Sequence, residues 1–152
     1  MKNFGSVDEV LDFAISEEEA AAQFYTDLAA KMDRAWMRQA FEDFANEEKG
    51  HKAKLLSVKK GKLLLSAEAK ITDLKIGDYL IEAESGSDGL DYQQALIIAM
   101  KKEKAAFKLY SDLAATTEDA NLRTVFLSLA QEEAKHKLRF EVEYDEHFLA
   151  EN

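Results

Sequence analysis

The chain repeats itself. Residues 11–56, laid without gaps on residues 96–141, agree at 18 of 46 positions, where unrelated sequences would share about three. The run Tyr25-Thr26-Asp27-Leu28-Ala29-Ala30 returns 85 residues later as Tyr110-Ser111-Asp112-Leu113-Ala114-Ala115. Two copies are too few for a solenoid, which needs at least about three repeats. They point to a closed pair with an insert between them. The length of 152 residues suits one domain with its own core.

Each copy reads as a helical hairpin. The chain has no proline and six glycines, which is poor material for an all-β fold and good material for long helices. Ser6-x-x-Glu9 has the form of a capping box and starts a helix near Val7 that runs to about Met32. A second helix spans about Ala35 to Lys60, with Gly61 as its stop. In the other copy Asp91-x-x-Gln94 caps a helix from about Tyr92 to Ala115, and a last helix runs from about Asp119 to Phe148. The organisation is hairpin 6–60, crossover 61–91, hairpin 92–148, with a short helix expected over Thr72 to Glu84. A crossover that long is expected to run the length of the bundle and make the second and third long helices parallel.

Spacings of four and three residues pick out one stripe per helix. They are Leu11, Ile15, Glu18, Ala22, Tyr25, Ala29, Met32; Met37, Phe41, Phe44, Glu48, His51, Leu55, Val58; Leu96, Met100, Glu103, Phe107, Tyr110, Ala114, Thr117; and Leu122, Phe126, Leu129, Glu133, His136, Phe140. Four such stripes make an all-α four-helix bundle. Six ionisable residues sit inside them: Glu18, Glu48, His51, Glu103, Glu133 and His136. Glu18 and Glu48 lie equally far from the first predicted turn, and Glu103 and Glu133 equally far from the second. An antiparallel hairpin therefore sets each pair level, about 22 Å from its turn. His51 and His136, three residues after a glutamate, share that glutamate's face.

A buried layer of four carboxylates is costly unless cations balance it. Two divalent metals would, with the imidazoles as neutral ligands. The donor set of oxygen and two imidazoles suits iron, with manganese possible. No cysteine is present, which excludes thiolate metal sites, disulfides and a catalytic thiol. The net charge of −10 argues against nucleic acid and anionic membranes as partners. No signal peptide or membrane span is visible, so a cytoplasmic location is expected.

Glu18, Glu48 with His51, Glu103, and Glu133 with His136 resemble the ferritin-like di-iron carboxylate superfamily, most closely its rubrerythrin-like branch. That family uses one Glu from each of two helices and Glu-x-x-His from the other two. The resemblance covers nearly the whole chain. It implies two iron ions, with Glu48 and Glu133 bridging them and Glu18 and Glu103 as terminal ligands. It further implies a non-haem di-iron oxidoreductase that reduces peroxide or O2, or oxidises Fe(II). The alternative is a ferritin-like protein that binds or stores iron without turnover; a structural bundle with a vestigial site is a third reading. A homodimer is the expected assembly. The chain departs from the family in lacking the four-cysteine iron centre, so an external electron donor such as a rubredoxin-like protein is expected. It also lacks a further Glu on the third long helix, where Met100, Ala106 and Phe107 stand. That absence bears on peroxidase activity more than on metal binding.

Tyr25 and Tyr110, two turns beyond Glu18 and Glu103, are expected to support the site by hydrogen-bonding the bridging glutamates. Glu47 and Glu132 sit 100° off the stripe, on a solvated face or behind the ligands. Glu17 and Glu19 become Lys102 and Lys104 in the second copy and read as surface, as does His147. Trp36 reads as local packing.

Overall fold

The computed structural model describes residues 2–81 and 91–149. Its α-helices are α1 (Val7–Ala30), α2 (Ala35–Lys60), the single turn α3 (Glu68–Ile71), α4 (Tyr92–Thr116) and α5 (Ala120–Tyr144). α1, α2, α4 and α5 form the bundle, and no described helix is long and apolar enough to cross a membrane. Ser6 and Asp91 cap α1 and α4 as the sequence implies, with the full reciprocal box at Asp91, and Asp119, which the sequence did not single out as a cap, caps α5. Ser6 Oγ accepts from Glu9 N at 3.1 Å, and Asp91 and Gln94 close a reciprocal capping box. Asp119 accepts from Leu122 N. Each satisfies N–H groups that the first helical turn leaves unpaired.

The end of α2 differs in detail from the expected glycine stop. Gly61 has a right-handed φ of −78°; the left-handed residue is Lys62, at φ 52°. Lys62 N bonds Lys59 O and Leu63 N bonds Val58 O, which is a Schellman closure with lysine in the glycine position. Gly61, one residue earlier, relieves a tight fit, since a Cβ there would lie 3.1 Å from Leu63 Cγ and 3.2 Å from Ser57 O.

The crossover carries less helix than expected. A 3-10 turn (Leu65–Ala67) leads into α3, and a second 3-10 turn covers Ile76–Tyr79. The helix expected over Thr72 to Glu84 does not form in its described part. The N-terminal strand-like residues compete for that backbone: Phe4 N bonds Leu74 O, Ile76 N bonds Lys2 O, and Asn3 bridges Lys75. Residues 82–84 of the expected helix lie outside the described residues. At the C-terminus the α-helix stops at Tyr144 and passes into a π-turn, Asp145–Leu149.

The core is in two parts. One end of the bundle packs Phe4, Val10, Leu11, Leu55, Leu113, Phe126 and Leu129. The other packs Phe24, Tyr25, Phe41, Ala95, Leu96 and Phe140. α2 enters at the second end and leaves at the first, and α4 does the same, so the two are parallel and the crossover spans the bundle. Each hairpin is tightly packed within itself, whereas α1 and α4 touch at few points. The predicted stripes are buried with few exceptions. Met32, Phe44 and Met100 are half-buried. Phe107 is a correction: it is 43% exposed, because α4 turns Ala106 and Tyr110 rather than Phe107 toward α1. Trp36 is also half-exposed, not packed away.

Candidate metal centre

Between the two apolar halves lies a polar layer. Glu18 on α1, Glu48 and His51 on α2, Glu103 on α4, and Glu133 and His136 on α5 are all buried. The level arithmetic thus brings all six together. Their donor atoms fall into two overlapping groups, Glu18–Glu48–His51–Glu133 and Glu48–Glu103–Glu133–His136, and within each the atoms lie within 4.8 Å of one another. Glu48 and Glu133 belong to both groups.

The layer is under-satisfied. Among the described residues seven buried polar atoms lack a hydrogen-bond partner: Glu18 Oε2, both oxygens of Glu48, Glu103 Oε2, Glu133 Oε1, and Nδ1 of His51 and His136. Folded proteins rarely leave such atoms unpaired, and here every one belongs to the same six residues. His51 Nδ1 lies 2.9 Å from Glu133 Oε1 and 3.2 Å from Glu18 Oε2. His136 Nδ1 lies 3.0 Å from Glu48 Oε1 and 3.6 Å from Glu103 Oε2.

The atoms facing away from the centre are all held. Tyr25 donates to Glu103 Oε1, and Tyr110 donates to Glu18 Oε1 at 2.7 Å. Both tyrosines therefore bond the outer glutamates, not the shared pair as expected. Each crosses to the opposite hairpin, where the lone Glu presents its outer oxygen. The histidines are held the same way: His51 Nε2 meets Glu132 Oε2, and His136 Nε2 meets Glu47 Oε2. A carboxylate only accepts, so Nε2 carries the proton and Nδ1 is turned inward as the ligand atom. Glu47 and Glu132 thus stand behind the histidines. Their recurrence one residue before each motif glutamate was the signal, but it did not name the partner across the bundle.

Electrostatics matches this geometry. Burial pushes the Glu48 and Glu133 carboxyls well up, and the neighbouring Glu103 adds to the rise. Burial and the charge of Glu103 raise Tyr25, and burial and Glu18 raise Tyr110, so both stay protonated donors. Burial lowers His136, but Glu103 and Glu48 outweigh it and raise it to about 11. His51 rises likewise, through Glu18 and Glu132. All four shifts, at Glu48, Glu133, His51 and His136, favour the protonated form of these groups when no cation balances the layer.

A small cavity reaches the layer, lined mostly by α1 and α4. This cavity of about 30 Å³ is lined by Glu18, Glu103 and Glu133 on the inside and by Ala21 and Ala106 at its sides; it holds a molecule about the size of water. Glu17 and Lys102, equivalent positions of the two copies, also line it, as do Tyr79 and Ile81 of the crossover. Lys102 is half-buried with Nζ 5.3 Å from the Phe24 ring centre, whereas Glu17, Glu19 and Lys104 are exposed as expected. His147 is an exposed residue far from the layer, 2.9 Å from Glu143. Glu143 itself is buried, which the sequence did not suggest, and accepts from Tyr92 at 2.7 Å.

The family description Rubrerythrin matches residues 9–144. Among solved structures, a hypothetical protein from Pyrococcus furiosus superposes with a TM-score of 0.72 at 23% identity, over 93% of this chain and 89% of that one. At that identity the likeness is one of fold. No curated protein is similar enough to the chain to count as a match.

Proposed function

From the premise that the chain belongs to the rubrerythrin family, we propose that the buried layer is a two-iron centre and the protein a non-haem di-iron oxidoreductase. The single observation that carries this is the set of seven unpaired polar atoms aimed at one another in two overlapping donor groups. Four carboxylates and two neutral imidazoles balance two divalent cations in charge. In this reading Glu18 and His51 would hold one ion and Glu103 and His136 the other, with Glu48 and Glu133, which belong to both donor groups, available to each; manganese would fit the same donors. When bound, iron supplies the one-electron chemistry for reducing peroxide or O2, or for oxidising Fe(II).

The protein's part is placement. Tyr25 and Tyr110 fix the outer glutamates, and Glu47 and Glu132 fix the tautomer and ring angle of the histidines. The two apolar half-cores exclude bulk water from the layer. The cavity lined mostly by α1 and α4 admits a small molecule beside Glu18 and Glu103, on the side away from the histidines. These 152 residues hold no cysteine, and in this reading a carrier of the rubredoxin type supplies the electrons.

Anaerobic loading with Fe(II) followed by elemental analysis tests the centre; two irons per chain is the expected result. Reoxidation with hydrogen peroxide, followed by turnover with reduced rubredoxin, tests the activity. One iron or none per chain would overturn the assignment. Two irons with no peroxide, O2 or Fe(II) turnover would leave iron binding and remove the oxidoreductase.

A further inference from the structure

The two copies provide an internal reference for each other, and on one face they disagree. α4 presents Lys101, Lys104, Phe107 and Lys108 where α1 has Ser16, Glu19, Ala22 and Gln23. The three lysines are exposed. With Phe107, 43% exposed, and Leu80, 56% exposed, they border a groove of about 590 Å³ between α4 and the crossover. Asp78 also lines it, and Lys108 is partly engaged, 2.9 Å from Asp112. The groove adjoins the metal centre: Ile81 and Ala105 line both it and the cavity beside Glu18 and Glu103.

From this face we infer that the groove is the docking surface for an acidic electron-carrier protein; the inference rests on the di-iron reading above. On a chain of net charge −10 a basic stripe attracts an acidic partner locally, and this one lies beside the cavity that reaches Glu18 and Glu103, so it orients the encounter toward the centre. The apolar floor receives an uncharged contact around the carrier's redox centre, and the lysines meet its carboxylates. Reducing one hydrogen peroxide to two waters takes two electrons and two protons. Two one-electron carriers are therefore oxidised in turn, which requires a weak, quickly released complex. A small groove with a charged rim makes such a complex.

The test uses the iron-loaded 152-residue chain and rubredoxin as the probe. Carbodiimide joins lysine amines directly to carboxylates in contact, and peptide mapping then reads the site. Joining at Lys101 or Lys104 is expected, with binding that weakens as salt rises. The variant Lys101→Ser, Lys104→Glu, Phe107→Ala restores the first copy's residues at exposed positions and leaves the six ligands alone. It should bind rubredoxin at least tenfold more weakly at low salt, with unchanged iron content. No rubredoxin binding by the wild type, joining at other lysines, or a triple variant that binds equally well would each overturn the docking surface. So would a native mass showing a second copy of this chain that the triple variant releases. Iron content is measured on the same samples. Full iron with rubredoxin joined elsewhere defeats the docking surface alone; no iron with rubredoxin still on the lysines defeats the di-iron reading alone.

Discussion

At the scale of single residues, the layer is a place where ordinary stability rules reverse. Glu48 and Glu133 are buried carboxyls whose ionisation burial and Glu103 oppose. Replacing both by Gln keeps their volume and removes two negative charges. Metal loading should be abolished, while the metal-free fold should melt at or above the temperature of metal-free wild type. Solvent-facing glutamates would show the opposite: unchanged loading and a stability shift within about ±0.5 kcal/mol. Glu47→Gln and Glu132→Gln act one step further out. Each should weaken iron binding about 10–100-fold by loosening the histidine it holds, measured by competition with a chelator. The six inner residues were legible because helical periodicity sets a face and distance from the turn sets a level. The partners of Tyr25, Tyr110, Glu47 and Glu132 were not. Level and face within one hairpin do not say which side chain of the other hairpin stands opposite.

At the scale of elements, three of the four long helices begin at a side-chain cap, while α2, which starts at Arg34 without one, was readable from its apolar stripe. Ser6, Asp91 and Asp119 each satisfy backbone N–H groups that would otherwise be left over. The crossover was misread because its backbone partners are the N-terminal residues Lys2 to Phe4, more than 65 positions away in the chain, beyond the reach of local propensity. The Schellman closure of α2 gives a direct test. Lys62 holds φ at 52°, a conformation costly for any residue with a Cβ. Lys62→Gly should therefore raise stability, by up to about 1 kcal/mol after glycine's own entropy loss, as read by urea denaturation. The parallel course of α2 and α4 is checked with spin labels at the exposed Ser57 and Gln94. They should lie about 25 Å or more apart along the bundle; labels found at one end would contradict the crossover.

At the scale of the whole molecule, metal and protons compete for one layer, and pH should move the two forms in opposite directions. His136 is raised from 6.5 to about 11 in the fold, and His51, Glu48 and Glu133 are raised as well. A group with a raised folded pKa stabilises fully below its unfolded value and loses that contribution as pH climbs through the folded one. The layer's contribution to the metal-free fold should thus fall as pH rises from about 4.3, the ordinary Glu value, toward 11. Iron binding displaces those protons and strengthens over the same range. Melts of chelator-treated and iron-loaded protein at pH 6 and pH 8.5 should show a gap that widens at the higher pH. A gap that narrows would mean the layer does not exchange protons for metal.

Every one of the four hydrogen bonds behind the ligands joins one hairpin to the other: Tyr25 to Glu103, Tyr110 to Glu18, His51 to Glu132 and His136 to Glu47. Neither half of the chain holds a finished half-site. Each supplies ligands whose supports reside on the other, so the centre works as a two-key lock that closes only when both hairpins are docked in register. The same arrangement would serve two identical separate chains, since each key is cut from the same repeat. Duplication and fusion would then have kept the lock symmetric while freeing the outer face of α4 to collect lysines that α1 never acquired.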